Sequence, residues 1–218
     1  MKRFFLVLAF LLFLTALWQH KFLVYVAKQG WGQAGIILGS RPVEEMLAGT
    51  TLSPAQKRKL MLIGEIRRFA VDSLGLRHTD NYTTYYEHGR KPLLLVLTAS
   101  EPYRLKPALW WFPVVGSVYY KGFFDRRDAY AEREELILQH YDTDLRPVSA
   151  WSTLGWFTDP VFTGMLSRSE GSLANLILHE LTHATIYIGD SVRFNENLAS
   201  FIGDRGALRF MEIRFGKS

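Results

Sequence analysis

Residues 172–188 read SLANLILHELTHATIYI. Their apolar positions recur at helical spacing, with Ser172 placed to cap the first turn. An α-helix advances about 100° per residue, so residues four apart stand roughly 40° from one another. His179 and His183 therefore share a face, one turn apart, and their imidazole nitrogens can converge on a single ion. Glu180 stands beside them, angled toward a water held on that ion. H-E-x-x-H on a helix is the spacing of two zinc ligands and a general base. The surrounding residues are apolar and would bury the pair. Buried imidazoles without a metal would have to find other hydrogen-bond partners.

Working outward, Gly189-Asp190-Ser191 should end this helix, and a second should begin near Phe194 with Asn195 and Glu196 in its first turn. If the two helices pack antiparallel around that turn, Glu196 faces the histidine pair. Two histidines, one carboxylate and an open fourth position describe a catalytic zinc site rather than a closed structural one. Asn195 and Asp204 are candidates for a supporting shell. Asp204, eight residues after Glu196, is placed to accept the other N–H of a ligand histidine, or stands as an exposed helix carboxylate.

The chain of 218 residues contains no cysteine. Disulfides, thiolate metal sites and a cysteine nucleophile are therefore excluded, and any metal must use His and carboxylate ligands. The formal charge of +5 is mild and spread out, and nothing resembles a nucleic-acid module. The densest basic stretch, Lys57 to Arg68, alternates charge with Leu, Met and Ile and reads as the wet face of an amphipathic helix; contact with anionic lipid is the functional alternative.

Met1 to Trp18 reads as a targeting segment. Lys2 and Arg3 precede an apolar run, Phe4 to Trp18, interrupted only by Thr15. Ala16, Leu17, Trp18 and Gln19 make a poor cleavage site, which favours an uncleaved signal anchor with its positive end inside and the rest of the chain outside the cytoplasm, periplasmic in a bacterium. An interfacial helix or a cleaved signal peptide is the alternative. The anchor is assigned to residues 1–21 and the metallopeptidase domain to 22–218, with 22–40 as a connecting helix.

The remainder predicts an α+β fold: a small mixed β-sheet with helices and a zincin-type C-terminal helix pair, preceded by an N-terminal membrane helix. Phe22 to Leu38 looks like a helix broken by glycines, and Val43 to Leu47 like a short one. Ser53-Pro54 opens a helix running to about Leu74, stopped by Gly75. Tyr82 to Tyr86 and Pro92 to Thr98 suggest a hairpin, and Leu109 to Tyr120 a third extended stretch. Asp125 caps a helix to His140, and Asp144 to Thr153 gives another strand. The crossover helix makes this last pair of strands parallel.

HELTH followed by NENLASF resembles the gluzincin pattern, H-E-x-x-H and then N-E-x-x-A on the next helix. From about Phe22 to Phe210 the chain resembles a bacterial zinc aminopeptidase family through YTTYYEHG, WWFPVVGSVYYKGFFD, WSTLGWFTDP, LILHELTHATIY and FNENLASFIGDRGA, in that order. The resemblance implies Zn2+, His179, His183 and Glu196 as ligands, Glu180 as the catalytic glutamate, and peptide or protein as substrate. The G-x-M-E-N amine-binding motif of the large aminopeptidases is absent, so "peptidase" is the firmer word.

Glu180 would take a proton from a metal-activated water and pass it to the leaving amine. The oxyanion then needs a further donor, yet no Tyr or His follows Glu196. Tyr119 and Tyr120 are the candidates, with Tyr82 and Tyr85 behind them; ordinary aromatic packing on a sheet is the alternative. Trp151 to Thr153 is either a plain core strand or an edge for an extended peptide. The rival to a peptidase is a membrane-anchored zinc-binding scaffold without catalysis.

Overall fold

Local chemistry sets where the helices start. Ser53 Oγ accepts from Gln56 N at 3.3 Å while Gln56 Oε1 accepts from Ser53 N at 2.9 Å, a reciprocal cap with proline at the first helical position. Asp125 Oδ1 likewise accepts from Arg127 N at 2.7 Å. The computed structural model describes residues 20–89, 92–112, 116–148, 158–189 and 191–216. Contacts group the chain into two units, Met1–Leu38 and Gly39–Ser218.

In the first unit, helix α1 (His20–Gly39) runs unbroken through the three glycines that the sequence suggested would interrupt it. The expected anchor, Met1 to Trp18, lies outside the described residues. Among those described, no helix is long and apolar enough to cross a membrane.

The second unit is a mixed α+β structure. In chain order it contains β1 (Arg41–Pro42), α2 (Val43–Ala48), α3 (Pro54–Asp72), β2 (Thr84–Tyr86), β3 (Leu94–Ser100), β4 (Trp110–Phe112), β5 (Gly116–Val118) and β6 (Lys121–Phe123). Then follow α4 (Arg126–Leu138), β7 (Asp142–Val148), β8 (Val161–Phe162), a 3-10 turn (Thr163–Ser167), α5 (Glu170–Thr185) and α6 (Val192–Phe215).

The single small sheet expected from the sequence is three separate ones: β1-β2-β8, β6-β3-β7 and the hairpin β4-β5. β2 and β3 do not pair as a hairpin. Strand β3 carries the buried residues Leu94, Leu95, Leu97 and Ala99, and β7 matches it over seven residues, from Leu94 opposite Val148 to Ser100 opposite Asp142. The other edge of β3 is taken by β6, as short as β2, and β2 pairs instead with β1 and with β8. The parallel pairing expected across α4 is also corrected. β6 and β7 flank β3, each antiparallel to it, so they share a direction but no ladder. Among the described strands, only β2 and β8 pair in parallel.

Leu109 to Tyr120 is largely the hairpin β4-β5, docked on α4. Trp110 Nε1 donates to Glu132 Oε1 at 3.0 Å, and Lys121 Nζ meets the same oxygen at 2.9 Å. This clamp fixes the segment that carries Tyr119 and Tyr120.

The core lies where α3 packs on α5 and α6. Leu60, Ile63, Ile66 and Ala70 of α3 are buried, as are Leu173, Ile177 and Leu178 of α5. Phe69 meets Phe210 of α6 edge-on, with ring centroids 5.4 Å apart. The basic stretch of α3 is partly structural: Lys57 Nζ donates to the carbonyls of Leu47 and Gly49 at 2.7 and 2.6 Å, closing the end of α2, and Arg67 donates to Thr79 O at 2.8 Å.

Candidate metal centre

Helix α5 begins one turn earlier than Ser172. Ser169 is the cap, its Oγ accepting from Ser172 N at 3.3 Å. Leu173, Ala174, Ile177, Leu178 and Leu181 form its buried face, which turns the adjacent stripe of His179 and His183 toward α6. The helix ends at Thr185, and residues 186–188 are no longer helical. Arg77 holds this end: its N–H donates to Thr185 Oγ1 at 3.1 Å, and its guanidinium donates to Ala184 O.

Helix α6 returns antiparallel and very close. Its buried face is built from small residues, Ala199, Gly203, Gly206 and Ala207. A Cβ on Gly203 would lie 3.0 Å from Asn175 O and 3.3 Å from His179 Cβ, so a larger residue here would need α5 to give by a few tenths of an ångström. Asn195, the fourth residue of the helix, is buried and grips the turn from both sides. Its Oδ1 accepts from Ile188 N at 3.0 Å, and its Nδ2 donates to Ile188 O at 2.7 Å. Glu196, next in sequence, is thereby aimed at the histidines.

The three expected ligands come together. His179 Nε2 lies 3.1 Å from His183 Nε2. Glu196 Oε2 is 3.5 Å from His179 Nε2, and Oε1 is 3.5 Å from His183 Nε2. Two nitrogens each about 2.0–2.1 Å from a tetrahedral ion lie roughly 3.3 Å apart, so this spacing is that of a metal-ligand set. His183 Nδ1 is buried without a hydrogen-bond partner among the described residues. A metal on Nε2 would leave this nitrogen as an N–H donor, so it is the spacing of the two Nε2 atoms and the carboxylate that carries the fit. Glu196 remains 43% exposed against 5% for His183, so one side of the group stays open to solvent. These residues fit a divalent ion with nitrogen and carboxylate ligands.

The charges of His179 and Glu196 act on one another. Hydrogen bonding from His179, then from His183, lowers the Glu196 carboxyl to about 2. Glu196 in turn raises His179 above its ordinary value, outweighing the opposing effect of burial, with Glu180 and Asp204 adding to the rise.

Tyr119 and Tyr120 stand in the field of Glu196. Their rings meet edge-on at 5.7 Å. Burial first and Glu196 second push Tyr120 up to about 12, with Glu180 contributing. Tyr119 is raised by burial, then by Glu196 and Tyr187. Both phenols therefore keep their protons at neutral pH and can donate. Tyr82 is buried, its backbone N–H donating to Asp159 O at 2.6 Å, and the Glu180 field adds to burial in raising its hydroxyl. Tyr85 is spoken for elsewhere, its hydroxyl 3.0 Å from Thr163 Oγ1.

Asp204 accepts from Asn175 Nδ2 at 2.5 Å rather than from a ligand histidine. It ties α6 to α5 and reaches His179 only through its charge. Trp151 to Thr153 lie outside the described residues. Sequence reasoning missed Tyr187, Gly203 and Arg77. Tyr187, whose field adds to the rise of Tyr119 and Tyr120, lies past the helix end at Thr185, where helical spacing carries no signal. Gly203 follows Glu196 by seven, which keeps it on the same face. Arg77, distant in sequence, carried no signal.

No curated protein and no solved structure matches this chain. The family model described as "Putative aminopeptidase" matches residues 24–217. With that match spanning nearly its whole length, and an HExxH helix whose histidines meet a carboxylate from the next helix, the chain belongs to the Putative aminopeptidase family.

Proposed function

We propose that this chain is a zinc-dependent peptidase. The observation that carries the reading is the convergence of His179 Nε2, His183 Nε2 and a Glu196 oxygen within 4.8 Å of one another, on a side open to solvent. Two imidazoles and one carboxylate, with no thiolate in the chain, are the ligand set of a catalytic zinc site. When bound, the ion supplies an acidified water and polarises the scissile carbonyl.

The chain's own residues carry the rest. Glu180, one residue from His179 and on the same helix, takes the proton of the attacking water and delivers it to the leaving amine. Tyr120, whose phenol keeps its proton well past neutrality, donates to the developing oxyanion, with Tyr119 beside it. Asn195 and Gly203 position Glu196 without touching substrate. The same reading attaches the chain to a membrane through its N-terminal segment and puts the catalytic unit outside the cytoplasm.

The test is metal analysis and peptide hydrolysis on wild type, Glu180→Gln and Glu196→Ala. Stoichiometric zinc in the first two, hydrolysis only by the first, and lost zinc in the third are expected. A zinc-loaded wild type that cleaves neither free nor acetylated peptides would establish the non-catalytic scaffold instead. Preference for free over acetylated N-termini separates exopeptidase from endopeptidase action.

A further inference from the structure

Helix α6 carries a surface that the metal chemistry does not use. Its inward face, Asn195, Ala199, Gly203, Gly206, Ala207 and Phe210, is buried. On the opposite side stand Phe194, Phe201, Leu208 and Phe215, each seven residues from the next and between 50% and 62% accessible. Phe215 stays open although Arg214 lies 5.3 Å from its ring centre. Seven residues fall about 20° short of two full turns, so the four drift through roughly 60° along about 32 Å of helix. Half-buried Leu198 and the exposed Arg205 and Glu212 lie between them. Phe194, Leu198, Phe201, Arg205, Leu208, Glu212 and Phe215 thus alternate by four and three residues. That is the spacing of a coiled-coil seam, with one cation and one carboxylate inside it.

We propose that this face of α6 is an interface at which a second copy of the chain docks, its α6 running antiparallel. Charge and spacing select that occupant. A parallel pair would set Arg205 against Arg205 and Glu212 against Glu212. An antiparallel pair sets each Arg205 against Glu212 of the second copy, and the two-fold axis then passes beside Leu208. The same axis brings Phe201 of one copy beside Phe215 of the other, so the register that pairs the charges also matches the apolar residues. Glu212 already meets Arg209 of its own helix through Oε2 at 3.4 Å. That pair is exposed and weak, and it leaves Oε1 for the arginine of the second copy. An apolar occupant, such as lipid chains, would strip Arg205 and Glu212 of water and return no countercharge to either. The inference is independent of whether the metal group is catalytic.

The chain's lack of cysteine makes the test direct. Leu208→Cys, Phe201→Cys and Phe215→Cys are introduced singly into the full chain, which is kept in a density-matched detergent and treated with a short bis-maleimide. Leu208→Cys should join to itself. Phe201→Cys and Phe215→Cys should join when mixed, and lose that joining when each is alone. In sedimentation over a range of protein concentrations, Arg205→Glu or Glu212→Arg alone should weaken association by at least about tenfold, and the double exchange should restore it. Both residues are exposed and away from the metal ligands, so metal content and the melting of the dilute protein should match wild type. A chain that sediments as a monomer at every concentration would overturn the proposal. So would self-joining of Phe201→Cys and Phe215→Cys as efficient as their mixture, the mark of a parallel pair, or a double exchange that fails to restore association. A monomer whose label at Phe201→Cys is quenched by brominated lipid would overturn it in favour of a membrane.

Discussion

The helix pair α5-α6 and the tyrosine segment after β5 both face Glu196, yet they arrive there by different means. The helix pair is held by contacts short in sequence: His179 and His183 one turn apart, and Asn195 gripping Ile188 seven residues away. Tyr119 and Tyr120 come from more than fifty residues upstream and are held by a clamp on Glu132 of α4. The first arrangement tolerates little change because two backbones touch at Gly203. The second depends on how a small hairpin docks. The lesson is that the geometry of the two histidines and the carboxylate is a property of one supersecondary unit, while the placing of the tyrosines is a property of the whole fold.

The sharpest break in that comparison is at Glu180. Glu180→Gln should retain metal but lower kcat by about 10²–10⁴-fold, since a lost general base costs that much. Zinc retained in this variant beside a lost rate would separate metal binding by the helix pair from catalysis.

Next in size is the tyrosine segment. Tyr120→Phe should lower kcat by about 10²-fold with bound metal unchanged, the loss typical of an oxyanion donor. Tyr119→Phe should cost less, because Tyr119 is the more exposed of the two. Reversal of that order, in steady-state kinetics on one peptide, would make Tyr119 the donor. An effect of neither would remove the hairpin from the chemistry.

Two glycines of α6 sharpen the other side. Gly203→Ala places a Cβ against the backbone oxygen of Asn175 at 3.0 Å. It should destabilise the fold by about 1–3 kcal/mol, as overpacking does, and weaken metal binding as Glu196 is pushed away. In Gly206→Ala the Cβ meets the Cδ1 atoms of Leu178 and Leu74, at 2.8 and 3.0 Å, which can rotate aside. The gain in helix propensity, about 1 kcal/mol, offsets much of that cost. Thermal unfolding and zinc titration of the two variants should therefore diverge.

The smallest effect is the pH dependence of the metal-free protein. His179 is raised above 6.5, so its contribution to stability is complete below that value and fades as pH climbs through the raised one. Glu196 is lowered from 4.5 to about 2, so its contribution is present above 4.5 and fades as pH falls toward 2. Metal-free stability from this group should thus peak between roughly pH 4.5 and 6.5. Metal affinity should move the opposite way across the His179 titration, weakening as protons compete for its nitrogen. Melting curves with and without zinc, compared with Glu196→Gln, check both signs.

Helix starts were readable because capping is local: Ser53 with Gln56, and Asp125 with Arg127, satisfy backbone groups within a turn. Strand partners were not readable. Tyr82 to Tyr86 and Pro92 to Thr98 are neighbours in sequence and look like a hairpin, but both edges of β3 are taken by β6 and β7, while β2 joins β1 and β8, partners that only the packing of the whole unit brings together. The glycines of α1 carried a break signal that the helix overrides, since a glycine inside a helix costs only about 1 kcal/mol.

Residue identity and helical spacing alone were enough to nominate His179, His183 and Glu180, because the period of a helix is a fixed number; Glu196, on the next helix, also needed an antiparallel turn and the family pattern. Tertiary structure alone decided that Asp204 serves Asn175 rather than a histidine, that Tyr85 is committed to Thr163, and that Tyr120 stands in the field of Glu196. Those outcomes depend on distances between segments remote in sequence, set by the packing of the whole unit.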